Sequence, residues 1–417
     1  MTHRSIALVT ALALVASVAS LGLACSTATD AGPLATGGDE IVSVPQTDVE
    51  RQSIGNCWIY AHASWVESMH QAATGESFDA SQSYWTYWHW FDQIANGAAT
   101  KLSTGGNWQT ANAIVKKYGI IAERDFIVAD TDTEMSARQA SALAAVSESL
   151  ANGALRTPAA RRDKALVRAE LDRAWGLTPE VTAMLDRVFG ADVARTFSSV
   201  TSPAEPSASI LRGQDFKVAY TTVPGQPAQQ KLLSQAMTEW RQVFYTTSDR
   251  RGFQLRVQRA LQDAQPVIVT WFVDFNALES RDNGRRGAFN LTTLKELGPG
   301  RQGGHMTVLG DYEARLSDGR VLAAGKTLDP ANPDDRILLD SALLESTRID
   351  FLRVKNSWGS ARPDRAFAPG MPGYHDLYLD YLDGPVKKCV ERDGATDTTN
   401  CPTTTTPLQN VVLPPGY

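Results

Sequence analysis

Hydrophobic and polar positions divide this chain into stretches of clearly different period. From Cys57 the apolar residues recur at helical spacing. Trp58, Ala61, Trp65 and Met69 share one face, with Ile59 and Val66 beside them. This predicts a buried helix with Cys57 in its first turn. A second helix is expected over Ala80 to Ile94. Six of its eight residues from Tyr84 to Phe91 are aromatic, so it either lines a cleft wall or, as such segments more often do, packs on all sides. A third fits Asn107 to Tyr118, opening after Gly105-Gly106 and stopping at Gly119. Residues 132–265 then change character. Ala, Arg, Glu and Leu dominate Met135 to Leu150 and Ala159 to Trp175, and Pro158, Pro179, Pro203 and Pro206 punctuate the run. Further helices with solvated charged faces are expected there. Beyond it the pattern turns to strands: Pro266 to Val273, Met306 to Tyr312 and Ile349 to Lys355, with a turn at Asp282-Asn283-Gly284. Helices first and antiparallel strands later define an α+β protein.

The N-terminal pattern differs again. Arg4 precedes an almost unbroken apolar run from Ile6 to Ala24, the profile of an export signal. Leu21-Gly22-Leu23-Ala24-Cys25 resembles a bacterial lipobox, which makes Cys25 a candidate lipid-attachment site. Ordinary cleavage after small residues and a retained membrane helix are the alternatives. The polar, Gly-rich residues that follow suit a tether. The expected organisation is a signal peptide (1–24), a flexible tether (25–45), a helical lobe (46–131), an inserted helical subdomain (132–265), a β lobe (266–388) and a C-terminal tail (389–417). The protein is expected to be exported, as a bacterial envelope lipoprotein or a secreted protein.

Charge and cysteine content narrow the chemistry. The 417 residues carry a formal net charge of −6 without a basic run, which argues against nucleic acid as a partner. Four cysteines are present. Cys389 and Cys401 enclose a short polar segment and form the natural disulfide of an exported chain. With Cys25 assigned to lipid, Cys57 is left as a lone thiol at a helix start, where unpaired backbone N–H groups favour the thiolate. A nucleophilic thiol needs a histidine, and the histidine needs an orienting group. His62 and His70 share the Cys57 helix and are too near in sequence to fold back on it. His89 falls in the aromatic helix, and His375 in a Gly-Tyr-His-Asp loop. His305 follows Gly303-Gly304 at the start of a strand and is the best base by context. The acidic stretches Asp329-Pro330 to Asp334-Asp335 and Asp130 to Glu134 read as a surface loop and a helix start. No metal site and no cofactor are expected.

Three motifs carry a family resemblance. Gln52-Ser53-Ile54-Gly55-Asn56-Cys57-Trp58 resembles the nucleophile motif of papain-like cysteine peptidases, Gly304 to Gly310 their histidine strand, and Val354-Lys355-Asn356-Ser357-Trp358-Gly359 their asparagine motif. The segments Ser81 to Tyr84, Gly105 to Trp108 and Lys116 to Ile121 are most similar to the bleomycin hydrolase and aminopeptidase C group. That group likewise carries a long helical insertion before the histidine. The resemblance implies a papain-like two-lobed fold and hydrolysis of peptide or protein substrates through a thioester. It makes Cys57 the nucleophile, His305 the base and Asn356 its orienting amide. Gln52 and the Cys57 N–H become the oxyanion donors, and Trp358 the cover of the His305–Asn356 bond. Two departures are visible. Gln52 stands five residues before Cys57, where the family has six and this chain has Arg51. His305 follows Cys57 by 248 positions, against about 130–150 in papain-type enzymes. The altered glutamine spacing leaves room for a papain-fold binding protein of weak or no activity, and the same chemistry for a thiol acyltransferase.

Overall fold

The computed structural model describes residue 44 and residues 46–325, 328–392 and 394–417. The expected signal peptide, Cys25 and nearly all of the tether lie outside the described residues. Among those described, no helix is long and apolar enough to cross a membrane.

The cysteine helix spans Cys57–Thr74 and closes on Gly75, whose φ of +73° is the left-handed conformation that glycine adopts without strain. Every residue from Trp58 to Met69 is buried, so this helix is the axis of its lobe rather than a surface element. Around it pack the aromatic helix Gln82–Ala95, capped by the Ser81 hydroxyl, and the helix Trp108–Tyr118, capped by the Asn107 side chain. The aromatic helix is packed on nearly all sides. Trp88 stacks on Tyr118 with ring centroids 4.0 Å apart, and Trp85 and Tyr84 donate hydrogen bonds to the Gly119 and Tyr118 carbonyls.

The β lobe is one sheet. Among the described residues its strands lie in the order Arg241–Phe244, Leu408–Leu413, Val267–Asp274, Gln302–Arg315, Arg348–Lys355, Tyr374–Tyr378 and Ala288–Phe289, with Val321–Leu322 added to Gln302–Arg315. Pairing is antiparallel except between Ala288–Phe289 and Tyr374–Tyr378. Strand alternation sorts the core. Ile268, Met306, Val308 and Val412 join the helical core, while Val267, Val269, Trp271 and Leu309 join a second core on the other face. The two lobes meet along the first of these.

Two parts differ from the sequence expectation. Residues 132–265 contain helices Ala137–Ala151, Lys164–Trp175 and Pro179–Phe189, but also the hairpin Lys217–Tyr220 with Gln229–Leu232 and the sheet strand Arg241–Phe244. Their buried side chains, Val146, Leu171, Trp175 and Phe189 among them, belong to the same core as Trp65, Trp88 and Tyr118. The chain end, expected as a tail, supplies the buried strand Leu408–Leu413 inside the sheet. Cys389 and Cys401 are joined as a disulfide, and their segment docks on the start of the histidine strand, where Gln302 Oε1 accepts from the Cys389 N–H at 2.8 Å.

Gln139, fully buried on Ala137–Ala151, ties this segment to the turn before Cys57. Its Oε1 accepts from Asn56 Nδ2 at 2.9 Å, and its Nε2 donates to the Tyr60 and Ser83 hydroxyls. Gln139→Leu removes these three hydrogen bonds from buried groups and is expected to destabilise the chain by about 2 kcal/mol. Urea unfolding measures this; a midpoint equal to wild type would mean that the amide is not holding the turn.

Candidate active site

Cys57 is the first residue of its helix. No acidic side chain occupies that first turn, and Asn56 makes no side-chain cap. The Asn56 amide turns inward instead, donating to Thr86 Oγ1 at 3.0 Å and to Gln139. The Ile59 N–H donates to the Asn56 carbonyl at 2.9 Å, while the Cys57 and Trp58 N–H groups are not spent on a side-chain cap and can serve a charge at the sulfur or a developing oxyanion. Burial pushes the Cys57 thiol up to about 11, while backbone hydrogen bonds from Met306, Trp58 and its own amide pull it down. The sulfur thus lies against Met306, the neighbour of His305. Among the described residues no hydrogen bond joins Cys57 to His305.

His305 and Asn356 are brought together directly. His305 Nε2 lies 2.8 Å from Asn356 Oδ1, with both side chains buried. An amide oxygen only accepts, so Nε2 carries the proton and Nδ1 keeps its lone pair. Burial pushes the imidazole down to about 4, partly countered by the Asn356 bond, with the Arg365 charge pushing the same way as burial. Trp358 stacks on the imidazole, centroids 4.8 Å apart and planes 18° from parallel. Its ring covers one face of the imidazole. Trp271, cross-strand from His305, closes another side at 5.6 Å.

His375 belongs to this group as well, although its sequence context suggested only a loop. It lies on the strand Tyr374–Tyr378, fully buried, and its Nδ1 is 3.3 Å from Asn356 Nδ2. Burial, with Arg365 and His305 adding to it, pushes His375 down to about 3. A neutral His375 with an accepting Nδ1 fixes which way the Asn356 amide faces. No local signal marks this role, because it arises only when Tyr374–Tyr378 pairs with Arg348–Lys355.

Gln52 sits beside the same motif despite its shifted spacing. Its backbone N–H donates to the Ser357 carbonyl at 3.0 Å, and its Oε1 accepts from Ser357 Oγ at 2.6 Å. Its Nε2 donates to the Ile54 carbonyl at 2.7 Å; a second N–H on that nitrogen remains. Arg51 forms a bridge with Trp358. Lys355 completes the frame from below, its Nζ bonding Ser64 Oγ of the cysteine helix at 3.2 Å and Thr47 Oγ1 at 2.9 Å.

No protein-family model and no curated protein matches this chain. Solved structures do resemble it. Xylellain, a cysteine protease from Xylella fastidiosa, is 13% identical over 90% of this chain and 85% of its own, with a TM-score of 0.36. The clostridial cysteine protease Cwp84 after propeptide cleavage is 12% identical over 90% of this chain and 59% of its own, at 0.34. The ragweed pollen cysteine protease Amb a 11, in its proform, is 14% identical over 89% of this chain and 63% of its own, at 0.30. The chain thus spans less than two thirds of the last two.

His375→Phe retains an aromatic ring among Phe289, Trp358 and Phe367 but removes the acceptor for Asn356 Nδ2. Hydrogen exchange of the His305 Nε2–H, followed by nitrogen-15 NMR, is expected to quicken by about tenfold, the equivalent of one lost hydrogen bond. Unchanged exchange would mean that His375 only fills space.

Proposed function

We propose that this chain is a papain-type cysteine peptidase with Cys57 as nucleophile, His305 as general base and acid, and Asn356 as the residue that orients it. The observation that carries the reading is the 2.8 Å contact of His305 Nε2 with Asn356 Oδ1, because it leaves Nδ1 free to take the thiol proton. As Cys57 Sγ bonds to the substrate carbonyl carbon, the thiol proton passes to His305. Collapse of the tetrahedral intermediate breaks the C–N bond, and His305 returns the proton to the leaving amine. Water then hydrolyses the thioester and restores the thiol. Gln52 Nε2 and the Cys57 N–H donate to the oxyanion; the double tie of Gln52 to Ser357 supports this role. Trp358 shields the His305–Asn356 bond.

The finer grouping with bleomycin hydrolase is supported by the sequence segments around Gly105 to Trp108. There a Cβ on Gly106 would fall 2.4 Å from the Trp58 ring, and this proximity accounts for a glycine at that place. The export signal, Cys25 lipidation and envelope localisation rest on the sequence pattern.

Burial opposes charge on both partners, raising the thiol and lowering the imidazole. The attraction between thiolate and imidazolium acts in the opposite sense. In His305→Ala that attraction is lost, so the pH midpoint for Cys57 alkylation by iodoacetamide should lie above the wild-type midpoint. A midpoint indifferent to His305→Ala contradicts the pairing. Peptide hydrolysis should vanish in Cys57→Ala, and Gln52→Ala should lower kcat by about 100-fold; full activity in either sinks the corresponding role.

A further inference from the structure

Beside the imidazole the molecule gathers positive charge. The Arg365 guanidinium lies over Trp358 at 4.2 Å and over Phe275 at 4.7 Å, and Arg301 lies over Phe275 at 4.1 Å. The two rings themselves are 5.3 Å apart, so His305, Trp358 and Phe275 form a continuous aromatic wall edged by arginines. Arg51 borders the same wall, close enough that a Cβ on Gly359 would meet its side chain at 3.1 Å. Arg362 adds a fourth guanidinium.

Two carboxylates approach, and each is already engaged. Asp364 binds Arg362 at 2.6 Å and reaches Arg365 only at 3.8 Å. Glu134 accepts the Ser360 backbone N–H. Arg365 Nη1 is buried without a hydrogen-bond partner, and among the described residues neither Arg51 nor Arg301 makes an ion pair. In a chain with net charge −6, such a local excess of positive charge is not background.

The location says which part of a substrate would meet it. On the peptidase reading, the leaving amine receives its proton from His305, so it departs on the imidazole side of the thiol. The substrate chain beyond it then passes Trp358, the ring stacked on that imidazole. We propose that Arg51, Arg301 and Arg365, with Arg362 held by Asp364 at their edge, form a subsite for a carboxylate on the leaving-group side of a peptide. This rests on the peptidase reading and adds the substrate class. Guanidinium groups supply paired N–H donors matched to a carboxylate. The carboxylate can be an acidic side chain or a free C-terminus, the latter making cleavage near chain ends the favoured reaction.

Binding separates this proposal from catalysis. Calorimetry on Cys57→Ala would use three matched peptides of one sequence: a neutral C-terminal amide, the same peptide with a free C-terminus, and an amide with Asp in the leaving segment. At least one anionic peptide is expected to bind about tenfold tighter than the neutral one, the scale of one charge-assisted hydrogen bond. The advantage should shrink in Arg301→Gln and at high salt. Whichever anionic peptide gains identifies the source of the carboxylate. Equal binding of all three, or an advantage that survives both Arg301→Gln and Arg365→Gln, overturns the subsite. Because Arg301 is exposed, its variant tests the idea even where loss of the Arg365 stack impairs folding. Anionic preference in Cys57→Ala together with a wild type that cleaves none of the peptides would instead count against the peptidase reading.

Discussion

The buried hydrogen bond between His305 and Asn356 is the contact around which the rest of the molecule is arranged. A histidine on one strand and an amide just past the end of the next meet at 2.8 Å. Such a bond has a defined direction only if the amide cannot flip and water cannot compete. His375 holds the far side of the amide, and Trp358 covers the near side. The Asn356 backbone N–H is tied to the Gly373 carbonyl at 3.0 Å. The preceding Lys355 reaches the cysteine helix, and the following Ser357 locks Gln52. One short segment, Lys355 to Trp358, therefore fixes His305, Gln52 and the Cys57 helix with respect to each other.

The thiol end obeys a balance of opposed effects. Removing a thiolate from water is costly, which is why burial raises Cys57 so far. The opposing resources are the backbone N–H groups of Cys57, Trp58 and Met306; the proposed pairing would add the imidazole. Asn56 sets that balance indirectly. By turning its side chain into the core towards Thr86 and Gln139, it leaves the first-turn N–H groups uncapped and still satisfies its own amide nitrogen. Residues 132–265 thus reach the Cys57 turn from within the helical core, through the buried Gln139.

Much of this was legible in the sequence. The helical period from Cys57, the strand at Val267–Asp274 and the asparagine strand are local patterns, and local patterns survive without knowledge of the fold. Cys57, His305 and Asn356 could be named because each sits in a short motif. What was not legible depends on long-range pairing. The strand Leu408–Leu413 follows a Thr- and Pro-rich stretch and reads as a tail until it is seated between Arg241–Phe244 and Val267–Asp274. Gln139 looks like any polar residue of a charged helix. His375 reads as a loop histidine, since its meaning comes from a neighbour 19 positions away across a strand pair. Gln52 is doubtful by spacing, and its contacts with Ser357 are long-range ones that no local pattern announces.

The central claim, that Cys57 carries a covalent acyl intermediate with His305 and Asn356 behind it, is tested most directly by trapping that intermediate. The wild-type chain would be mixed with a slowly turned-over peptide ester, quenched in acid within seconds and mapped by peptide mass spectrometry. The account predicts an acyl group on Cys57, reduced in Asn356→Ala and absent in His305→Ala. Acylation at another residue, or steady ester turnover with no adduct in the wild type and undiminished turnover in Cys57→Ala, would contradict it.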